Sequence, residues 1–205
     1  MALNDSDITI CNQALVRIGA TQISSLTEGG DLANTCFRLY SNLRDSLLSA
    51  YPWSFSMKKR QLGRLVTAPT NEWKYQFQLP DTLLSGVIAV FASGEQSAEP
   101  IRYGWEIYGD KVLSNYEQLW IDCQETVDES DMPPYFVRLL SMALSAEISI
   151  PVTDQTTKAE YFRALAYGTP GEQGRGGLFR EAMNIDSRGK ETAVIEDYSL
   201  VAVRG

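Results

Sequence analysis

Residues 31–57, DLANTCFRLYSNLRDSLLSAYPWSFSM, decide the fold because their periodicity changes from helical to extended within one stretch. Apolar residues recur at spacings of three or four in its first part: Ala33, Cys36, Tyr40, Leu43 and Leu47. This spacing predicts a long helix capped by Asp31. Pro52 disfavours a helical residue before it, so the helix should end near Tyr51. After Pro52, large apolar and small polar residues alternate as far as Met57, which predicts the start of a strand.

Three further helices are predicted around this stretch. The first covers residues 6–18, where Ser6 is a suitable cap and Gly19 occupies the C-terminal position that favours glycine. The third begins after Asp131, and the fourth covers residues 154–167. Each carries an apolar stripe, so the four helices are expected to form a bundle.

Short strands are predicted between the second and third helices. Residues 73–79 alternate apolar and polar side chains, the pattern of a half-buried antiparallel strand. Glycines separate further candidates at 86–92, 100–108, 111–114 and 118–124. Short strands with close turns indicate a small antiparallel sheet or barrel. Four tryptophans are expected in the core of this sheet: Trp53, Trp73, Trp105 and Trp120.

The composition changes at residue 168. The last 38 residues hold seven of the fifteen glycines, and residues 171–177 are not expected to form a stable regular element. Apolar residues follow that such a segment cannot bury by itself, so an extended arm that docks on a partner is predicted. The candidate docking residues are Leu178, Phe179, Met183, Ile185, Val194, Ile195, Tyr198, Leu200, Val201 and Val203.

These elements predict an α+β fold in three parts. Residues 1–52 and 131–167 form the four-helix bundle. Residues 53–130 form an inserted β-rich subdomain, a small antiparallel sheet or barrel. Residues 168–205 form the extended glycine-rich arm.

The amino-acid composition excludes several classes of enzyme and binding protein. The chain has no histidine, so Ser-His-Asp and Cys-His machinery and histidine-containing zinc sites are excluded. The three cysteines are widely spaced and fit neither a disulfide framework nor a zinc site, and Cys11 and Cys36 lie on apolar helix stripes where they should be buried. The formal net charge of −8 argues against a tight clamp on nucleic acid. We therefore expect no enzyme and no cofactor, with paired carboxylates left open as a hydrolytic alternative.

No membrane association is predicted. No window approaches the run of about 18 apolar residues that a membrane span requires. The first residues lack the basic region and apolar run of a secretory signal. The chain is expected to fold in a cytosol.

Three clusters each have a functional and a plain structural interpretation. Lys58-Lys59-Arg60 with Arg64 could bind nucleic acid, but charges on an exposed strand are more often solvated. The acidic residues between 122 and 131 could hold a cation or line a lumen, and a solvated loop with a helix cap is favoured. Residues 171–177 lack the preceding strand and the Lys-Ser or Lys-Thr of a phosphate loop, so a linker is favoured.

Two stretches of the chain and a turn between them form a recognisable combination of motifs. The first is CNQALVRIG at residues 11–19, followed by ISSL at 23–26 and, after the long helix, YPWSF at 51–55. The second is DMPPYF at residues 131–136, an acid-Met-Pro turn that opens a helix after the sheet. A Tyr-Gly-Asp turn lies between them at 108–110. Together these motifs resemble the tail tubular protein A family of short-tailed phages. The resemblance covers about residues 8–165, in order and with similar spacing.

The resemblance implies a head-to-tail adaptor in the virion. The chain would form a homo-oligomeric ring of about twelve copies between the portal protein and the tail nozzle protein, assembled in the host cytoplasm. Packaged DNA would be retained above this ring and would pass through its lumen during ejection. An acidic inner wall would repel the DNA and let it pass quickly.

Two other function classes stay open. The chain could be a phage assembly factor or DNA-associated binding module that leaves the mature particle, which its copy number in purified virions would reveal. It could also be a hydrolase that uses paired carboxylates, which activity on peptidoglycan or capsule sugars would reveal.

Overall fold

The computed structural model describes residues 6–95 and 98–189, and within them it has five helices and two small antiparallel sheets, which confirms the α+β class. The helices are α1 (Asp7–Ile18), α2 (Asp31–Ser49), α3 (Pro134–Thr153), α4 (Thr156–Tyr167) and α5 (Gly177–Asp186). The strands are β1 (Met57–Gln61), β2 (Gly63–Arg64), β3 (Tyr75–Gln78), β4 (Ala89–Phe91), β5 (Trp105–Tyr108), β6 (Lys111–Ser114) and β7 (Trp120–Gln124).

The first two helices follow their predicted boundaries closely. The Ser6 hydroxyl accepts a hydrogen bond from the backbone N–H of Thr9 at 3.2 Å and so caps α1. Gly19 ends this helix with a left-handed φ of 83°. The cap of α2 is Gly30, one residue before the predicted Asp31. Asp31 instead lies in the first turn, where its carboxylate meets the positive end of the helix dipole.

The helical core is built around α3. This helix packs against α1, α2, α4 and α5, so the described helices form a group of five and not the predicted four. Its buried serines do not leave polar groups unpaired: Ser145 and Ser149 each donate to the carbonyl four residues earlier, at 2.8 and 2.6 Å. Cys11 and Cys36 are both fully buried in this core, as predicted.

The sequence pattern predicts no membrane-spanning helix, yet α3 is long and apolar enough to cross a membrane. Its mean hydropathy is 1.4 over the most apolar window, and it is the one such helix in residues 6–95 and 98–189. In this fold 61% of that window is buried, because four other helices cover it. A central core helix meets the same criterion of length and hydropathy.

The prediction of an extended arm is wrong for residues 168–189, which form α5 and the reversal before it. Phe179 and Ala182 of α5 are buried in the same core as α3, at 3% and 1% exposure. The helix packs against both α3 and α4. The described part of the predicted arm is therefore a fifth member of the helical core.

The glycines that suggested a linker are needed for a tight reversal between α4 and α5. Gly177 has a φ of 51°, and a Cβ atom there would lie 2.4 Å from the carbonyl oxygen of Leu165. The Gly176 N–H donates to the Tyr167 carbonyl at 2.8 Å. Glycine-rich composition here reflects positive φ and close backbone approach, not chain freedom.

Residues 53–56 are not the predicted strand. Trp53 is fully buried in the helical core, and residues 54–56 form a 3₁₀ turn before β1 begins at Met57. The alternation of large and small residues arises because Trp53 and Phe55 both pack towards the helices, with ring centroids 5.2 and 5.1 Å from that of Phe136. Trp53 is thus a member of the helical core and not of the sheet core.

The β-rich residues form two antiparallel sheets with a second core. One sheet has the order β1-β7-β4 and the other the order β2-β3-β6-β5. Strand β6 covers the predicted 111–114, whereas β5 covers only the last part of the predicted 100–108. Phe77, Val112 and Ile121 are fully buried in this core, which is distinct from the helical one.

Asp186 at the end of α5 fastens that helix to the rest of the core. Its buried carboxylate accepts hydrogen bonds from the Ser54 N–H at 3.0 Å, the Ser54 hydroxyl at 2.6 Å and the Tyr135 hydroxyl at 2.7 Å. Burial and this carboxylate raise the pKa of Tyr135. One carboxylate therefore holds α5, the Trp53 junction and α3 together.

We expect Asp186→Ala to lower the free energy of unfolding by about 2–4 kcal/mol, because Ser54 and Tyr135 would keep part-buried donors without an acceptor. Urea denaturation followed by tryptophan fluorescence measures this. Glu181→Ala on the same helix is the matched control, since its ion pair with Arg138 is exposed and should be worth less than about 1 kcal/mol. Equal unfolding midpoints for the two variants would contradict the assigned role.

Candidate docking surfaces

The four described docking candidates lie on α5 and differ in exposure. Phe179 is buried against Trp53, with ring centroids 5.8 Å apart, so its assignment as a docking anchor is corrected to a core residue. Leu178 and Met183 are partly buried and pack against the helical core. Ile185 is half-buried. The other six candidates, Val194, Ile195, Tyr198, Leu200, Val201 and Val203, lie outside the described residues.

Leu178 and Ile185 line a groove between α5 and the start of α3. The groove has a volume of about 240 Å³. Its other walls come from Pro134, Tyr135, Arg138, Glu181 and Ala182. An apolar floor with a basic and an acidic residue at the rim suits an apolar side chain of a partner.

The outer face of α4 carries a second apolar surface. Tyr161 and Leu165 are four residues apart and therefore lie on one side of the helix, at 61% and 38% exposure. A mainly apolar groove of about 550 Å³ lies at the end of the same helix, lined by residues that include Ala164, Tyr167 and Pro170. This α4 surface is uncovered by any other described part of the chain.

Exposed apolar and aromatic side chains also lie along one edge of the four-stranded sheet. β5 is an edge strand, hydrogen-bonded to β6 on one side. Ile107 and Tyr108 on this strand are exposed, as are Tyr103 before it and Tyr116 beyond β6. Tyrosine is the residue type that contributes large contact area while keeping a polar group for water or a partner. We refer to these four residues as the β5 edge.

The basic and acidic clusters seen in the sequence pair with each other. β1 and β7 are antiparallel neighbours, with Lys59 opposite Asp122. The Lys59 ammonium lies 3.9 Å from the Asp122 carboxylate and 3.6 Å from the ring centre of Phe91. Arg44 similarly contacts Glu129 at 3.0 Å. These charges are largely compensated within the chain, which weakens the interpretation of residues 58–60 as a nucleic-acid patch.

Glu125 is the buried member of this paired cluster. Its carboxylate is 4% exposed and accepts two parallel hydrogen bonds from the Arg60 guanidinium, each at 2.8 Å. Lys58 adds a second cation at 3.8 Å. The hydrogen bonds from Arg60 hold the pKa of Glu125 below its usual value, although burial opposes them. Glu125 was predicted to lie in a solvated loop, but its carboxylate is buried in an ion pair with Arg60.

Two residues that join distant elements were not singled out from the sequence. They are Gln124 and Asp186. Gln124 contacts the carbonyl of Leu48, 76 positions away, and Asp186 contacts Ser54, 132 positions away. No local pattern marks a polar residue whose partners are so distant in the chain.

Within residues 6–95 and 98–189, no three His, Cys, Asp or Glu residues are placed to hold a metal ion. Cys11, Cys36 and Cys123 are buried thiols, and burial raises the pKa of Cys123.

Neither a family model nor a curated protein matches the chain. The likeness to tail adaptors therefore depends on the motifs at residues 11–26, 51–55 and 131–136. The function must be proposed from these motifs together with the surfaces described above.

We expect the stability of the chain to fall as the pH is lowered from about 5, since the pKa of Glu125 is lower in the folded than in the unfolded state. Its contribution is complete above the unfolded pKa and disappears as the pH passes down through the folded pKa. Glu125→Gln should make the unfolding free energy less dependent on pH in this range. Urea titrations at several pH values measure the slope.

Glu181→Gln is the control for this experiment, because it removes a carboxylate from an exposed pair. An identical slope in Glu125→Gln and the unchanged chain would mean that the Glu125–Arg60 pair does not contribute to acid sensitivity.

Proposed function

We propose that this chain is a structural virion protein, a head-to-tail adaptor whose ring joins the portal to the tail nozzle and forms part of the DNA channel. The observation that carries the proposal is the presence of uncovered apolar surfaces on two unrelated elements, the outer face of α4 and the β5 edge. The motif resemblance at residues 11–26, 51–55 and 131–136 supplies the family.

Two different apolar surfaces are what a ring of identical subunits requires. In a head-to-tail ring each subunit uses one surface towards one neighbour and a different surface towards the other. The α4 surface lies on the helical part of the chain and the β5 edge on the sheet part, so one can meet the other on the next copy. A monomer would leave both in water, which soluble monomers rarely do with large patches.

The charge distribution fits a channel through which DNA passes without being held. The chain has a formal net charge of −8, and its most basic strand is paired with Asp122 on β7 and with Glu125 directly after it. Few phosphates would therefore be neutralised by Lys and Arg, and affinity for duplex DNA would be low. This charge therefore supports a role in which DNA passes through the ring without being bound by it.

Contact with the portal is proposed to use α5 and the residues after it. The groove lined by Leu178 and Ile185, between α5 and the start of α3, could bind an apolar side chain of the portal. The apolar residues from Val194 to Val203 would supply the remaining contacts. The tail nozzle protein would bind the opposite end of the ring.

We expect the portal of the phage that encodes this chain to gain the mass of about twelve copies on mixing, or about 270 kDa from subunits of 22.8 kDa. Mass photometry of the portal, alone and mixed with the chain at several salt concentrations, measures the gain. The variant Tyr161→Glu should reduce it, because a charge on the α4 surface would oppose contact with the next copy.

Thr156→Glu is the matched control for this variant, since it adds the same charge to an exposed side chain of α4 that does not line the groove of the α4 surface. No mass gain with the unchanged chain at any salt concentration would reject the adaptor role and favour an assembly factor that leaves the particle. Turnover of peptidoglycan or a capsule sugar, abolished by one carboxylate substitution, would favour a hydrolase.

A further inference from the structure

The loop between β2 and β3, residues 65–74, carries an apolar side chain that no other described part of the chain covers. Val66 is fully exposed to solvent. The neighbouring residues are fixed by hydrogen bonds to β3: the Leu65 N–H donates to the Gln76 carbonyl at 2.9 Å, and the Gln76 amide donates to the Thr67 carbonyl at 2.6 Å. A partner that covers Val66 would therefore meet a loop already held in one conformation, which lowers the entropic cost of binding.

The two cations beside Val66 have no carboxylate partner in the part of the chain that the structure describes. Arg64 and Lys74 line a groove of about 330 Å³ together with Val66. None of the ion pairs within residues 6–95 and 98–189 involves either of them. The Arg64 guanidinium lies over the ring of Tyr75, 5.0 Å from its centre. Lys74 is exposed and available to an acid of a partner.

The loop is continuous with the β5 edge. The Trp73 indole N–H donates to the Glu106 carboxylate of β5 at 3.3 Å. The hydrogen bond with Glu106 raises the pKa of Tyr108 in the β5 edge, and the charge of Glu72 raises it further. The acids Glu72 and Glu106 therefore lie towards the β5 edge. The loop and the β5 edge form one surface of the sheet part.

The groove at the end of α4 is apolar, and its uncompensated charge is negative. Glu160 and Arg163 both line it. Arg163 is paired with Glu147 at 3.2 Å, whereas no cation of residues 6–95 or 98–189 pairs with Glu160. The volume of about 550 Å³ is in the range of sites that enclose a whole small molecule, so the groove can take a short turn of chain.

We propose that the 65–74 loop of one copy inserts Val66 into the α4 groove of the next copy, where Lys74 pairs with Glu160. The proposal rests on the proposed function, because it names the residues that would join neighbouring copies in the adaptor ring. The loop lies on the sheet part and the groove on the helical part, so the contact uses two different surfaces. Such a contact repeats from copy to copy and can close into a ring.

The groove between α5 and the start of α3 matches the loop less well. Its volume of about 240 Å³ is less than half that of the α4 groove. The charges at its rim, Arg138 and Glu181, pair with each other at 3.6 Å, so Lys74 would find no unpaired acid there. The α4 groove complements the loop in both apolar character and charge, and charge complementarity is what fixes the register of a contact and excludes wrong partners.

The test replaces Tyr161 on the α4 surface with the photoreactive amino acid p-benzoylphenylalanine in the full chain. An aromatic side chain replaces an aromatic one, so the surface stays apolar. The modified chain is mixed with isotopically labelled unmodified chain and illuminated, both bound to portal rings and free at high concentration. We expect a crosslink between two copies that mass spectrometry maps to residues 64–74 of the labelled one.

Charge reversal separates the proposed contact from general apolar association. Lys74→Glu and Glu160→Lys should each lower the crosslink yield at least about fivefold, because like charges would face each other, and the two changes together should restore it to within about twofold. Val66→Asp should lower the yield at least as far, because it would place a carboxylate in an apolar groove. All three side chains are exposed, so the midpoint of urea unfolding should not change.

Asp81→Lys is the matched control. It reverses an exposed acid that takes part in no ion pair of the described residues. Asp81 follows β3, whereas the loop precedes it, so the two lie at opposite ends of that strand. The control should leave the crosslink yield unchanged.

Three results would overturn the inference. They are a crosslink that maps outside residues 64–74, a yield that the paired reversal does not restore, and no crosslink between copies in either sample. If the portal still gains mass, such a result rejects this contact and leaves the adaptor role in place. A crosslink from α4 to the loop in the free chain, without a mass gain by the portal, would support the contact and reject the adaptor role.

Discussion

The end of α2 has to be completed by side chains from elsewhere in the chain, because Pro52 follows it and its last carbonyls have no helical partners. The Trp53 indole N–H donates to the carbonyl of Leu47 at 2.9 Å. The Gln124 amide donates to the carbonyls of Leu48 and Tyr51, at 2.5 and 2.9 Å. Trp53 brings the aromatic core with it, and Gln124 brings strand β7. The helix end is therefore the place where the helical core and the sheets are joined, and α5 depends on it through the contact of Asp186 with Ser54.

The parts of this fold that local chemistry determines are the parts that could be predicted from the sequence. Ser6 and Gly19 define α1 because a cap hydroxyl and a left-handed glycine act within one helical turn. Residues 168–177 could not be interpreted in the same way, because glycine is used both in flexible linkers and where backbones approach closely, and composition does not distinguish the two. The prediction that Trp53 lies in the sheet core was wrong for a related reason. Alternation shows which residues are large, but it does not show which core they enter. The pairing of residues 58–60 with Asp122 and Glu125 depends on the register between β1 and β7, which no single stretch of sequence contains.

The same interactions bear on the surfaces available to a partner. Pairing between β1 and β7 uses the most basic strand to hold the three-stranded sheet together, with Glu125 buried under Arg60 and Lys58. Docking of α5 uses Phe179 to complete the aromatic cluster around Trp53. The apolar side chains that stay exposed after these contacts include Tyr161 and Leu165 on α4 and those of the β5 edge. Surfaces of this kind gain from association with protein through burial of apolar area and have little to offer a polyanion.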